Sequence, residues 1–178
     1  GEKRVAMSPA NVQSLTDKSV KVLIQSDAGN AAGYSDNEYL AAGATITGDR
    51  AEIFATADIV LQVQSFGSNN ENSADDLAMI RQGQLIIGMM DPLASPQAAL
   101  DVAGKGATAI ALELVPRISR AQSMDVLSSM ATLAGYKAVL MGASASPRIF
   151  PLLMTAAGTL QPARVLIMGV GVAGLQAC

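Results

Sequence analysis

The sequence predicts an α/β protein of two doubly wound parallel-sheet domains, the first nearly complete and the second cut off early. Three observations predict it. Short runs rich in Val, Ile and Leu recur with helical stretches between them, glycines stand where those helices should stop, and a Gly-x-Gly-x-x-Gly run directly follows the last apolar run. Half of the 178 residues are hydrophobic and only 15% are charged, which is the balance of a core-rich chain rather than a disordered one.

Taken in order, strands are expected over 20–25, 44–47, 58–64, 84–90 and 107–114. The last two runs are apolar nearly throughout, as in strands buried on both faces of a parallel sheet. Helices are expected over 35–42, 73–81 and 95–103, closed by Gly43, Gly83 and Gly104, where a left-handed cap favours glycine. This first domain reads as flavodoxin-like and is assigned to 1–130. A longer helix starts at Ser119, where Ser119 and Gln122 have capping-box spacing; Met124, Leu127, Met130, Ala131, Ala134 and Ala138 follow at a helical period.

The second domain is assigned to 131–178. Pro147 and Pro151 interrupt the chain, a short helix over 152–157 is expected to end at Gly158, and 163–168 reads as a buried strand. That strand runs into Gly169-Val170-Gly171-Val172-Ala173-Gly174, the strand–turn–helix context in which such a glycine pattern binds dinucleotides and gives a Rossmann-like fold. Gly169 permits the tight turn, Gly171 lets a pyrophosphate approach the backbone, and Gly174 lets helix and strand pack closely. The acidic residue that usually selects NAD lies about 20 residues beyond such a motif, past Cys178. Both ends of the sequence read as truncations.

Other classes are disfavoured. The net charge of -3 and the scattered Lys and Arg give no footprint for nucleic acid. With no His and one Cys, His-based acid/base chemistry is ruled out and no metal cluster of soft ligands is expected. Charged residues, Lys137 among them, interrupt every apolar run before it reaches membrane-spanning length. The nine Met residues read as core filler. After the fifth strand, Arg117, Gln122, Asp125 and Ser128 fall where α/β proteins gather ligands, although on spacing alone Gln122 serves equally as a capping-box member and Asp125 as a complement to the helix dipole.

At 117–128 and again at 154–177 the chain resembles the alanine dehydrogenase/transhydrogenase family, and most closely the NAD(H)-binding part of the alpha subunit of proton-translocating NAD(P) transhydrogenase. The run Pro116-Arg-Ile-Ser-Arg-Ala-Gln-Ser-Met-Asp-Val-Leu-Ser128 is similar to the loop that meets the nicotinamide end of NAD(H). Met154-Thr-Ala-Ala-Gly-Thr, Pro162-Ala-Arg-Val and the glycine motif are similar to the start of the family's NAD domain. The opening Glu2-Lys-Arg-Val-Ala6 with Pro9 resembles the stretch after the family's first strand, which the resemblance places outside this sequence.

The resemblance implies that Arg117, Asp125 and Ser128 hold the carboxamide side of the nicotinamide and that Gln122 sits where NADPH of a partner domain meets NADH; Gln122 and Asp125 are the residues assigned to catalysis. It further implies NADP(H) bound by a partner domain, a membrane domain, a homodimer and a peripheral location on the cytoplasmic face of the inner membrane. Alanine dehydrogenases use a catalytic His and a substrate-binding Lys; this chain has no His and carries Gln in the strand ending Val60-Leu-Gln-Val-Gln64, leaving Arg4 alone of that set. Two alternatives stay open: an amino-acid dehydrogenase of the alanine type and a non-catalytic nucleotide-binding module.

Overall fold

A computed structural model describes residues 1–69 and 71–178, and the chain divides into two units, Gly1–Val115 and Pro116–Cys178. The division falls ahead of the long helix, whereas the sequence reading places it within that helix, at 130/131.

In the first unit, strands and helices alternate: α1 Pro9–Thr16, β1 Leu23–Gln25, α2 Asp36–Ala41, β2 Thr45–Thr47, α3 Arg50–Thr56, β3 Ile59–Gln64, α4 Ser73–Met79, β4 Leu85–Met89, α5 Pro96–Gly104 and β5 Thr108–Ala111. Helix starts follow the chemistry of the orphan N–H groups. The Ser35 amide donates to the Glu38 carboxylate at 2.7 Å ahead of α2, and the Asp49 carboxylate accepts from the Ala51 amide at 2.9 Å ahead of α3. The carbonyls at the end of α3 are also satisfied: the Gln84 side-chain amide and the Arg81 guanidinium both donate to Phe54 and Ala57, at 2.7–2.9 Å.

All the strand pairs of this unit are parallel. β1 lies against β2 with Leu23 opposite Thr45, and β3-β4-β5 form a second sheet with Ile59, Leu85 and Thr108 in line. Phe54, Val60, Phe66, Ile86 and Val102 centre one core cluster, and Val12 and Tyr39 a second. β4 matches the expected buried strand, with Ile86 and Gly88 fully covered. β5 does not: among the described residues it is the edge of its sheet with one neighbour, and Ile110 is 42% exposed. Gly43 and Gly83 hold the expected positive φ, but Gly104 is the last helical residue of α5 and the left-handed position falls at Gly106 (φ 70°), because the helix runs further than the pattern suggested.

One polar cluster ties the elements together. Arg50 of α3 donates to Asp76 of α4 through Nε and Nη2, both at 2.7 Å, and to Gln25 of β1 at 2.7 Å; Gln62 of β3 donates to the same Asp76 at 2.8 Å. Asp76 is fully buried, so its charge survives by being paired in this way.

The second unit departs further from expectation. The segment Ser119–Met124 is a 3-10 helix preceded by an extended Ile118, and no capping box forms between Ser119 and Gln122. The long helix α6 is Val126–Ala145 and is capped instead by Asp125. Residues 152–157 form no helix: β6 Leu153–Thr155 and β7 Gly158–Leu160 make an antiparallel hairpin with Thr155 opposite Gly158. A short segment following Pro147 and Pro151 has too few residues to offset helix nucleation, and the hairpin satisfies its backbone instead. The expected buried strand over 163–168 belongs to no sheet and Leu166 is 84% exposed, because nothing among the described residues pairs with it. α7, Val172–Ala177, follows the glycine turn.

α6 has no single apolar stripe, and at 20 residues it has the length and composition of a membrane span, contrary to the expectation that charged residues, here Lys137, interrupt the apolar runs first. Length and composition are all that support such a span. Lys137 sits near the middle of the helix, where placing it in a bilayer would cost roughly 2.5–3.5 kcal/mol.

Candidate functional site

The glycine turn is built as its sequence spacing implies. Gly169 has φ 104°, a conformation L side chains rarely adopt. A Cβ on Gly174 would run into the Gly169 carbonyl and come within 3.7 Å of Ile167 Cγ2, so the third glycine is required by close packing of the turn on the helix start. Gly171 is the N-terminal cap of α7, and a Cβ there would meet open space, so nothing inside the unit demands glycine at this position. Val172 and Ala173 are the first two helical residues.

α7 is seated by α6. A Cβ on Gly135, the one buried residue of α6, would collide with the Ala173 carbonyl, so this glycine lets the long helix touch the backbone of the glycine turn. The sequence reading missed Gly135. Its only signal was a helix-disfavouring residue amid the small residues Ala131, Ala134 and Ala138.

Of the four polar candidates around the start of α6, two are joined. Asp125 accepts from the Ser128 amide at 2.8 Å and from the Ser128 hydroxyl at 2.6 Å. These bonds to Ser128, and then the nearby Arg117 charge, hold the Asp125 carboxyl below its ordinary value. The dipole-complementing role that spacing allowed for Asp125 is thus realised, while the capping role it allowed for Gln122 is not. Arg117, ahead of the 3-10 helix, and Gln122, within it, are both exposed.

The first unit carries a second group of unusual residues at the carboxyl ends of its strands. Phe66 after β3 and Asp91 after β4 have φ 33° and 48°, a strained region for non-glycine residues. The Glu113 carboxylate accepts from the Met90 and Asp91 amides through Oε1, and its other oxygen is buried without a partner. None of these three was singled out from sequence. Arg4, the remaining cation of the keto-acid set, donates to Glu2 at 2.7 and 2.8 Å, and Gln62 is engaged by Asp76 and Ser65.

Two family models cover the chain and meet within α6. The model of the alanine dehydrogenase/PNT N-terminal domain matches residues 1–134, and that of the alanine dehydrogenase/PNT C-terminal domain matches 138–178. The chain belongs to the alanine dehydrogenase/PNT family. Within the family it is 41% identical over 177 residues to NAD(P) transhydrogenase subunit alpha of Cereibacter sphaeroides, covering 99% of this chain and 33% of that protein. It is 32% identical to alanine dehydrogenase of Mycobacterium tuberculosis, covering 99% and 46%. Among solved structures, transhydrogenase from Sinorhizobium meliloti superposes with a TM-score of 0.90 at 44% identity, over 99% of this chain and 51% of the other; an L-alanine dehydrogenase gives 0.81 at 26%, over 99% and 47%. The chain spans between a third and a half of the length of the curated family members it matches.

Proposed function

We propose that this chain is part of the NAD(H)-binding component of an NAD(P) transhydrogenase, an oxidoreductase that moves a hydride between NADH and NADP in a complex that couples the transfer to proton translocation. The observation that carries the reading is the glycine turn, in which Gly169 and Gly174 are glycines for the fold's sake and Gly171 is a glycine the fold alone does not need. An open, side-chain-free surface at the start of a helix is what close approach of a pyrophosphate requires.

NAD(H) would supply the redox chemistry; this chain's residues bind and orient. The Asp125–Ser128 pair is a fixed acceptor cluster beside Arg117, suited to the amide and carbonyl of a carboxamide. Gln122 is a neutral, exposed polar group suited to contact with a second nicotinamide. Direct transfer between two rings needs orientation and exclusion of water rather than an acid or base, which fits a chain without His.

NADP(H) belongs to a partner domain in this reading, and a membrane domain carries the proton path; that the transhydrogenase relatives are alpha subunits supports partner subunits. The chain is proposed to lie peripherally on the cytoplasmic face of the inner membrane as a homodimer. The amino-acid dehydrogenase reading is weaker, because Arg4 is paired with Glu2 and Gln62 stands in the strand where that family's cation is expected.

The test is hydride transfer from NADH to an NADP analogue by the full-length protein mixed with a transhydrogenase NADP-binding domain, with pyruvate and ammonium as the control. Transfer that drops at least tenfold in Gln122→Asn is expected. Turnover only with pyruvate and ammonium would falsify the proposal in favour of an amino-acid dehydrogenase, and NADH binding without turnover on either route would make the chain a nucleotide-binding module.

A further inference from the structure

Ser128 and Gly135 stand seven residues apart on α6, two helical turns, so they share one face of the helix. Ala131 and Thr132 lie between them on that face and are half-buried, and the Thr132 hydroxyl donates to the Ser128 carbonyl at 3.1 Å. All of these residues belong to the second unit, as does the glycine turn. One face of α6 therefore carries two features at a fixed separation. Near its start is the Asp125–Ser128 pair, and two turns later, roughly 10 Å along the axis, Gly135 touches the backbone of the turn at Ala173. That span is on the scale of one mononucleotide half of a dinucleotide.

A Cβ on Gly135 would run into the Ala173 carbonyl oxygen and stand 3.0 and 3.1 Å from the carbonyl carbon and Cα of that residue, main-chain atoms that cannot rotate away. The turn owes its own shape to other features, the positive φ of Gly169 and the packing of Gly174 on Gly169. A methyl group at position 135 therefore pushes the turn and α7 off α6 as one body and leaves the turn intact. Helix chemistry does not favour glycine there, since alanine is the better residue in a helix interior. Only the closeness of the two backbones requires it.

We propose that Gly135 is a positioning residue for the dinucleotide: it sets the distance between the turn that takes the pyrophosphate and the Asp125–Ser128 pair that takes the nicotinamide carboxamide. This role rests on the NAD(H) reading above and makes α6 the gauge that registers one part of the cofactor against the other. Orientation is what such a transfer depends on, and a misplacement on the order of 1 Å is costly.

Calorimetry on the full-length protein with NADH and with ADP-ribose, which has the pyrophosphate but no nicotinamide, separates the two ends. Gly135→Ala should weaken NADH binding about tenfold, the loss expected for a hydrogen bond to a charged group, and leave ADP-ribose binding unchanged. Gly142→Ala, on the same helix, places a Cβ against Phe150 Cζ alone, at 3.8 Å, and should change neither. Equal weakening of both ligands by Gly135→Ala, or of neither, overturns the role of Gly135. Unaltered protein that binds neither ligand overturns the NAD(H) reading and this role with it. Amide hydrogen exchange on the unaltered protein decides the matter even if Gly135→Ala does not fold. NADH should slow exchange at both Ser128 and Val172, and ADP-ribose at Val172 alone. Protection of Ser128 by ADP-ribose, or by neither ligand, overturns the role.

Discussion

At the scale of single residues, three glycines in one turn have three different reasons to be glycine, and substitution separates them. Gly174→Ala drives a methyl group into the Gly169 carbonyl, a backbone contact that cannot give, so the turn should open and NAD affinity of the full-length protein fall at least tenfold. Gly171→Ala meets nothing within the chain itself. Its melting temperature should stay unchanged while NAD affinity falls comparably by calorimetry; unchanged affinity would remove the case for nucleotide at this turn. Asp125 makes a prediction of a different kind. Its folded pKa lies below the ordinary 3.8, so its contribution is fully present above 3.8 and is lost as pH falls through the lower folded value. The Ser128 amide resonance should therefore titrate in acid below pH 3.8, and Asp125→Asn should abolish that titration. The glycine motif was legible in the sequence because glycine roles attach to fixed spacings. The Asp125–Ser128 pair was legible only as two candidates, since three-residue spacing does not say whether the partners face a ligand or each other.

At the scale of elements, the first unit was readable because a parallel sheet writes each strand as an apolar run and each helix stop as a glycine. Strand ends were overestimated: the run over 20–25 yields only Leu23–Gln25, and the run over 107–114 turns into a 3-10 helix after Ala111. The second unit was less readable for a physical reason. The run over 163–168 has the composition of a buried strand, but composition cannot supply a neighbour to pair with, and the hairpin of β6 and β7 depends on cross-strand bonds rather than on any local period. The cluster joining α3, α4, β1 and β3 was invisible for a similar reason, because Arg50 and Asp76 lie 26 residues apart. Its worth can be measured. Asp76→Ala leaves Arg50 and Gln62 without their acceptor; since the Arg50 side chain keeps 35% of its exposure, the cost should be about 2–4 kcal/mol, below the upper range for a wholly buried pair. Denaturant unfolding of the two proteins gives the difference directly, and a loss under about 1 kcal/mol would mean that the pair behaves as a surface contact.

At the scale of the whole molecule, the proposed reading makes residues 163–178 the opening segment, the glycine turn and the first helical residues of a dinucleotide domain. A site of that size offers the pyrophosphate an anchor but neither ribose acid nor a second mononucleotide half. This chain by itself should therefore bind NAD more weakly than micromolar in calorimetry, and micromolar binding would show that the turn suffices. Residues 1–178 contain a single thiol. Cys178 is exposed, and its amide donates to the Gly174 carbonyl at 3.2 Å, which fastens it one helical turn from the most crowded glycine of the motif. A maleimide fluorophore would attach there and nowhere else, giving a site-specific optical reporter of whether that turn is held or loosened without introducing or removing any cysteine.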